Sequence, residues 1–271
     1  MNAIAVRALR PPAARVHGTL FVPAAAVPVA AALVIGGSGG SEPSYVGEAL
    51  AREGMAALSV AYFARPGLPG QLRGIRLEYF ADALEILRTA LPSPRVPVAV
   101  IGMSRGSEAA MLTAIHAPDA VQGVVATVPG NMIAGSHPPG GPAWLLGGQP
   151  LPYAGHDGPQ HENPDALIPV ERVPGPVLLI SAGADQVWPS AAMAQALSAR
   201  LRQHGDPHGH IVLDYPDAGH SLGYLIPRLP PGLLPPGLTD QPADQIARAD
   251  AWPKAVGFLR CLPRPKPEPQ P

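Results

Sequence analysis

Cysteine is almost missing from this chain: Cys261 is the only one in 271 residues. A single thiol cannot close a disulfide within the chain or supply a multi-cysteine metal site. Charge is also sparse and balanced, with 19 Lys and Arg against 20 Asp and Glu, a net charge of −1, and 14% charged residues. No dense basic block is present, which argues against nucleic acid or an anionic membrane surface as a partner. Long uninterrupted apolar runs are missing too. The most apolar stretch, LFVPAAAVPVAAALVIGG from Leu20 to Gly37, is broken by Pro23 and Pro28. It is shorter than the roughly 20 residues a membrane-spanning helix needs, and reads as two buried strands around a proline-marked turn. The opening MNAIAVRALRPPAARVHGTL lacks the continuous apolar core of a signal peptide. A cytoplasmic protein without a membrane partner is expected.

What the chain does have is apolar material, 46% of its residues, in a length sufficient for one large domain with a sizeable core. Apolar runs alternate with helical patterns. VAAALVIGG leads into the helix pattern PSYVGEALAREG, MAALSVAYF precedes an amphipathic stretch from Arg76 to Leu91, and VPVAVIG precedes RGSEAAMLTAIH. VQGVVATV, PVLLISAG, SAAMAQALSARLRQ, HIVLDY and QIARADAWPKAVGFLR continue the rhythm. Continuous apolar strands separated by helices predict an α/β fold, a mostly parallel central sheet covered on both faces, with ligands at the carboxyl ends of the strands. A single domain over residues 1–262 is expected, followed by a Pro-rich tail, 263–271, with too little to bury. One segment, about 129–169, is rich in Gly, Pro and His without periodicity. A long irregular insert of this kind reads as a lid.

Gly102-Met103-Ser104-Arg105-Gly106 places a serine between two glycines where an apolar strand gives way to a helix. That is the G-x-S-x-G elbow, which presents a nucleophile at the top of a parallel sheet. A serine hydroxyl needs a base to take its proton. Of nine histidines, His220 follows an apolar strand in the glycine-containing loop DYPDAGHSLG. The others lie in the insert (His137, His156, His161), near the start (His17), or at helix ends and polar turns (His116, His204, His208, His210). The base in turn needs a carboxylate. Asp185, in LLISAGADQVWPS, ends another strand and gives the chain order Ser104, Asp185, His220 expected of α/β hydrolases. Asp217 is the main competitor, and Asp214 reads as structural. For the oxyanion, backbone N–H groups are expected from Ser38 or Gly39 in the glycine loop GGSGGSE and from Arg105 after the nucleophile. Trp188 is expected to pack beside the acid. Glu108, one turn past Ser104, either braces the elbow or is an ordinary helix residue. HDGPQHE, His156 to Glu162, matches no metal-ligand spacing and reads as a solvated loop. Neither a metal nor another cofactor is expected.

Several stretches together resemble the C-terminal catalytic domain of acyl-CoA thioesterases and bile acid-CoA:amino acid N-acyltransferases, related to the dienelactone hydrolases. They are GGSGG (36–40), LSVAYF (58–63), LEYF (77–80), GMSRGSE (102–108), IPVERVPGPVLLISAGADQVWPS (168–190) and YPDAGHS (215–221). The resemblance implies an α/β-hydrolase fold with nucleophile, acid and base at Ser104, Asp185 and His220. The implied partner is a small acyl thioester or ester, held by coenzyme A or a carrier protein. Arg65, Arg73 and Arg76, after a strand end, are candidates for a phosphate on such a leaving group. Hydrolysis through an acyl-Ser104 intermediate is the leading expectation, because relatives that pass the acyl group to an amino acid use cysteine in this slot. Transfer or cyclisation by the same acyl-enzyme is the alternative. A non-catalytic binding protein on the same scaffold is the third reading.

Overall fold

Each apolar run becomes a strand whose alternate residues face opposite layers. The computed structural model describes residues 6–9, 16–24, 26–155 and 163–265. Its strands are β1 (Val6–Leu9), β2 (His17–Pro23), β3 (Ala31–Ile35), β4 (Ala56–Ala61), β5 (Ile75–Arg76), β6 (Val98–Met103), β7 (Gly123–Thr127), β8 (Trp144–Leu146), β9 (Gln149–Pro150), β10 (Val177–Ala182) and β11 (His210–Tyr215). The helices are α1 (Ser44–Arg52), α2 (Glu78–Ala90), α3 (Arg105–His116), α4 (Ser190–Gln203) and α5 (Pro242–Arg260). In β3, β4, β7 and β10 every residue is buried. Leu33, Leu58, Val100 and Leu179 point into a core shared with Phe80 and Leu84 of α2, Met111 of α3 and Leu197 of α4. Their neighbours Ala32, Val34, Ile101 and Ile180 point the other way, against Leu50 of α1 and Trp252 and Leu259 of α5. That two-residue period on strands covered twice is why the runs are continuously apolar.

The main sheet runs β1-β2-β4-β3-β6-β7-β10-β11. β1 and β2 are antiparallel to their neighbours, and all the other pairings are parallel. From β3 the chain moves outward to β4, then returns to β6 on β3's other side. The strand order therefore reverses between β3 and β6, and the crevice outside those strand ends is where ligands bind in such sheets. The glycine loop leaves β3 there and Ser104 leaves β6. A smaller sheet, β5-β8-β9, joins the approach to α2 with the insert, pairing Ile75 with Trp144. Trp144, fully buried, gives the described part of the insert an anchor in the main core. His156 to Glu162, where a metal site was weighed, lie outside the described residues.

Glycine is required on both sides of Ser104 by close backbone contact. A Cβ on Gly102 would stand 2.1 Å from the Gly106 carbonyl oxygen, and one on Gly106 would stand 2.3 Å from that of Gly36. Neither neighbour is a flexible side-chain end that could step aside. Gly102→Ala or Gly106→Ala is therefore expected to cost about 3 kcal/mol or more, measured as a lowered urea midpoint, and Gly39→Ala, with nothing within 4 Å of its Cβ position, far less.

Candidate active site

Ser104 sits at φ 53°, ψ −122°, a region non-glycine residues rarely occupy and that costs energy to hold. Hydrogen bonds on both sides hold it. The Ser104 N–H donates to the Thr127 carbonyl at 2.9 Å, and its own carbonyl accepts the N–H and hydroxyl of Ser107 at 2.8 and 2.6 Å. The side chain is thereby turned away from the β6 axis, toward the loops beyond β10 and β11.

Those loops pack backbone on backbone. The Gly183 N–H donates to the Tyr215 carbonyl and the Ala184 N–H to the Ala218 carbonyl, each at 2.9 Å. A side chain on Gly183 would meet Pro216 backbone at 2.5 Å. This close approach delivers Asp185 and His220 to one place. His220 opens a short 3-10 turn, His220–Tyr224. Its Nε2 lies 3.1 Å from Ser104 Oγ, and its Nδ1 lies 2.9 and 3.0 Å from the two Asp185 oxygens. The Asp185 carboxylate is 1% exposed. Burial alone would raise its pKa, but the imidazole hydrogen bond and charge, with N–H donation from Val187, outweigh that and hold it below the usual carboxylate range. It stays ionised, an acceptor facing Nδ1 of the imidazole, while Nε2 faces the Ser104 hydroxyl. Of the competing acids, Asp217 is exposed, and Asp214 accepts a hydrogen bond from Ser181 at 2.6 Å. Trp188 packs edge-on to the His220 ring with centroids 6.2 Å apart, its indole N–H donating to the Val128 carbonyl at 3.1 Å.

A second serine, histidine and aspartate also line up, Ser198 with His210 Nε2 at 2.6 Å and Asp206 on Nδ1. They lie at the opposite end of β11. Ser198 is fully buried and also accepts from Arg202 at 2.6 Å, so this set is structural.

Beside Ser104, Arg105 is the first residue of α3, where helix N–H groups have no intrahelical acceptor. In the facing loop the Tyr62 hydroxyl reaches the carbonyls of Gly36 and Gly37 at 3.0 and 3.1 Å. Ser38 and Gly39 are exposed, and a Cβ on Gly37 would stand 3.3 Å from Ser104 Cβ. Arg65, Arg73 and Arg76 are all exposed, engaged respectively with the Ala64 carbonyl, the Pro139 carbonyl and Glu78. No hydrogen bond joins them to Ser104. Among the described residues no group of three or more His, Cys, Asp or Glu could hold a metal, and no helix is long and apolar enough to cross a membrane.

The Glu108 alternatives resolve in favour of a brace. Arg105 Nε stands 2.8 Å from Glu108 Oε1, with the two side chains 5% and 0% exposed. Glu108 Oε2 accepts from the Trp144 indole at 2.9 Å and the Ala134 N–H at 3.2 Å. The Arg105 guanidinium donates to the carbonyls of Ala134 and Gly135 at 2.7 and 2.8 Å. Burial pushes the Glu108 carboxyl up, opposed by Arg105 and these donors. Removing one partner of a buried ion pair strands the other, so Glu108→Ala should cost about 3–5 kcal/mol in urea unfolding, with Glu108→Gln falling between it and the unaltered chain.

Comparisons with known proteins agree with this architecture. The family described as "BAAT / Acyl-CoA thioester hydrolase C terminal" matches residues 152–231. Acyl-coenzyme A thioesterase 1 of Rattus norvegicus is 32% identical over 224 residues, 77% of this chain and 52% of that protein. Acyl-coenzyme A amino acid N-acyltransferase 2 of Rattus norvegicus is 32% identical over 234 residues, again 77% of this chain and 52% of the relative. The chain thus spans about half the length of these curated relatives. A solved structure of a putative dienelactone hydrolase from Klebsiella pneumoniae superposes with a TM-score of 0.63 at 15% identity, covering 96% of this chain and all of that one. The chain has the α/β-hydrolase fold and is similar to the acyl-CoA thioester hydrolase C-terminal family.

Proposed function

We propose that this protein hydrolyses a small acyl thioester or ester through an acyl-Ser104 intermediate. The observation that carries the reading is the unbroken hydrogen-bonded line from Ser104 Oγ through His220 to Asp185. As Oγ attacks the acyl carbon, His220 Nε2 takes its proton, and the imidazolium is stabilised by the ionised Asp185. The carbonyl π pair moves onto oxygen, which is met by the Arg105 N–H and by N–H groups of the Gly37–Gly39 loop. Collapse breaks the bond to the leaving thiolate or alkoxide, which receives the proton from Nε2. Water then repeats the sequence on the acyl-serine with His220 again as base, releasing the acid and restoring Ser104. No cofactor enters these steps.

The similarity to an N-acyltransferase favours a second reading, in which an amine or an internal hydroxyl replaces water. Serine at 104 supports hydrolysis over transfer, since an acyl-serine is an ester that activated water attacks. Product analysis with and without amine acceptors separates the two.

Ser104→Ala and His220→Ala are each expected to lower turnover of a p-nitrophenyl ester by roughly 10⁴-fold. A fluorophosphonate should label Ser104, read by peptide mass spectrometry; labelling elsewhere, or none, would overturn the mechanism. The leaving group is proposed to rest on the arginine side of the crevice, with Trp188 as a wall beside the base. Arg73, lying against the insert at Pro139, is the first test. Arg73→Glu should raise KM for an acyl-CoA while leaving that for a simple ester unchanged.

A further inference from the structure

The catalytic reading leaves unused a fully buried arginine, Arg248 of α5, 0% exposed. Burying a guanidinium is expensive unless its donors are met, and here they are. Nε donates to the Ile226 carbonyl at 2.9 Å, Nη1 to the Ser221 carbonyl and hydroxyl at 3.1 and 3.2 Å, and Nη2 to Asp240 Oδ2 at 2.9 Å, with Oδ1 ion-paired at 2.7 Å. One turn earlier on the same helix face, Asp244, also buried, accepts the Gly219 N–H and the Gln241 N–H. Gly219 and Ser221 are the residues on either side of His220. The helix therefore grips the backbone immediately before and immediately after the imidazole, and holds the far end of its turn at Ile226.

A second contact sets the depth of this turn. Gly223 lies so close to the elbow that a Cβ there would meet Val128 at 2.6 Å and Met103 at 3.0 Å, and its carbonyl accepts the Thr127 hydroxyl at 2.8 Å. The turn is pressed on the elbow from one side and drawn to α5 from the other. Apolar contact could fill the space behind it with less desolvation cost. What apolar contact cannot supply is direction, and the rigid guanidinium fork fixes two carbonyls and a hydroxyl in one orientation.

We propose that Arg248 and Asp244 are positioning residues that hold the His220 turn in register with Ser104 and Asp185. This rests on His220 being the base. The test uses the purified full chain and compares Arg248→Met, Arg248→Lys, Asp244→Asn and His220→Ala. kcat and KM for a p-nitrophenyl ester and the rate of fluorophosphonate labelling are measured at a temperature where melting curves show each variant folded. Misplacing a catalytic group by about 1 Å costs about 10²-fold. Arg248→Met is expected to lose that factor in kcat and in labelling rate with KM little changed, and Arg248→Lys to recover part of it. Asp244→Asn, which keeps the shape but weakens the acceptor, should show the same split with a smaller loss. This variant decides the matter if Arg248→Met does not fold. Folded variants with unaltered kcat and labelling rate, merely melting earlier, would overturn the positioning role while His220→Ala remained inactive. A His220→Ala variant as active as the parent would instead overturn the base assignment itself.

Discussion

The hydrogen bond between His220 Nε2 and Ser104 Oγ, 3.1 Å long, joins residues 116 positions apart in the chain. Nothing local can produce such a contact. It requires β6 and β11 to lie in one sheet with the same polarity, so that their carboxyl ends open on the same rim. It also requires β10 between β7 and β11 to bring Asp185 to the imidazole's other nitrogen. Continuous apolar strands satisfy these conditions by being buried on both faces, which forces helical crossovers and hence parallel order. The sheet is thus the source of the site's geometry.

The rim itself is built from costly parts. Ser104, Val128 and Leu225 all have positive φ, at 53°, 41° and 66°, and for a β-branched residue such as Val128 this is a strained conformation. Each lies at or beside the contact between the elbow and the His220 turn. Two buried arginines and two buried carboxylates flank the same contact, Arg105 with Glu108 on the insert side and Arg248 with Asp244 on the α5 side. Buried ions add little net stability over well-packed apolar residues. Their placement beside strained backbone is instead consistent with a role in fixing orientation, while the sheet and its helices provide stability.

Sequence pattern reveals these two layers unequally. The strands and helices could be read because burial on two faces, or on one helical stripe, leaves a local period. α3 and α4 begin and end where the apolar pattern and the flanking glycines and prolines place them, at Arg105–His116 and Ser190–Gln203. Ser104 stood out because only glycine fits at 102 and 106. Asp185 and His220 could be picked out because each follows an apolar strand. The Glu108 brace stayed one of two readings, because its partners Trp144 and Ala134 lie in the insert, where no period survives. Nothing in the pattern marks Arg248, within the last helical stretch, or Asp244, just before it, and only the tertiary path of the loop makes them buried. In GGSGG the glycines mark a tight loop without saying which of its N–H groups faces the serine. β1, four residues paired along the edge of β2, is too short to leave a readable pattern.

Arg105 shows how the two layers meet. Its backbone N–H begins the helix behind Ser104, while its guanidinium spans the Ala134 and Gly135 carbonyls and Glu108. One residue thus ties the insert to the peptide group that, on the proposed mechanism, faces the developing oxyanion. A lysine there would keep the charge but not the planar fork, and its compact ammonium could not hold two successive carbonyls and a carboxylate in one plane. The wall of the crevice formed by the insert is therefore coupled to the elbow through a rigid group rather than a flexible tether. The contacts at Ala134 and Gly135 thus reach the first turn of α3, so the shape of the insert and the geometry at Ser104 are set together.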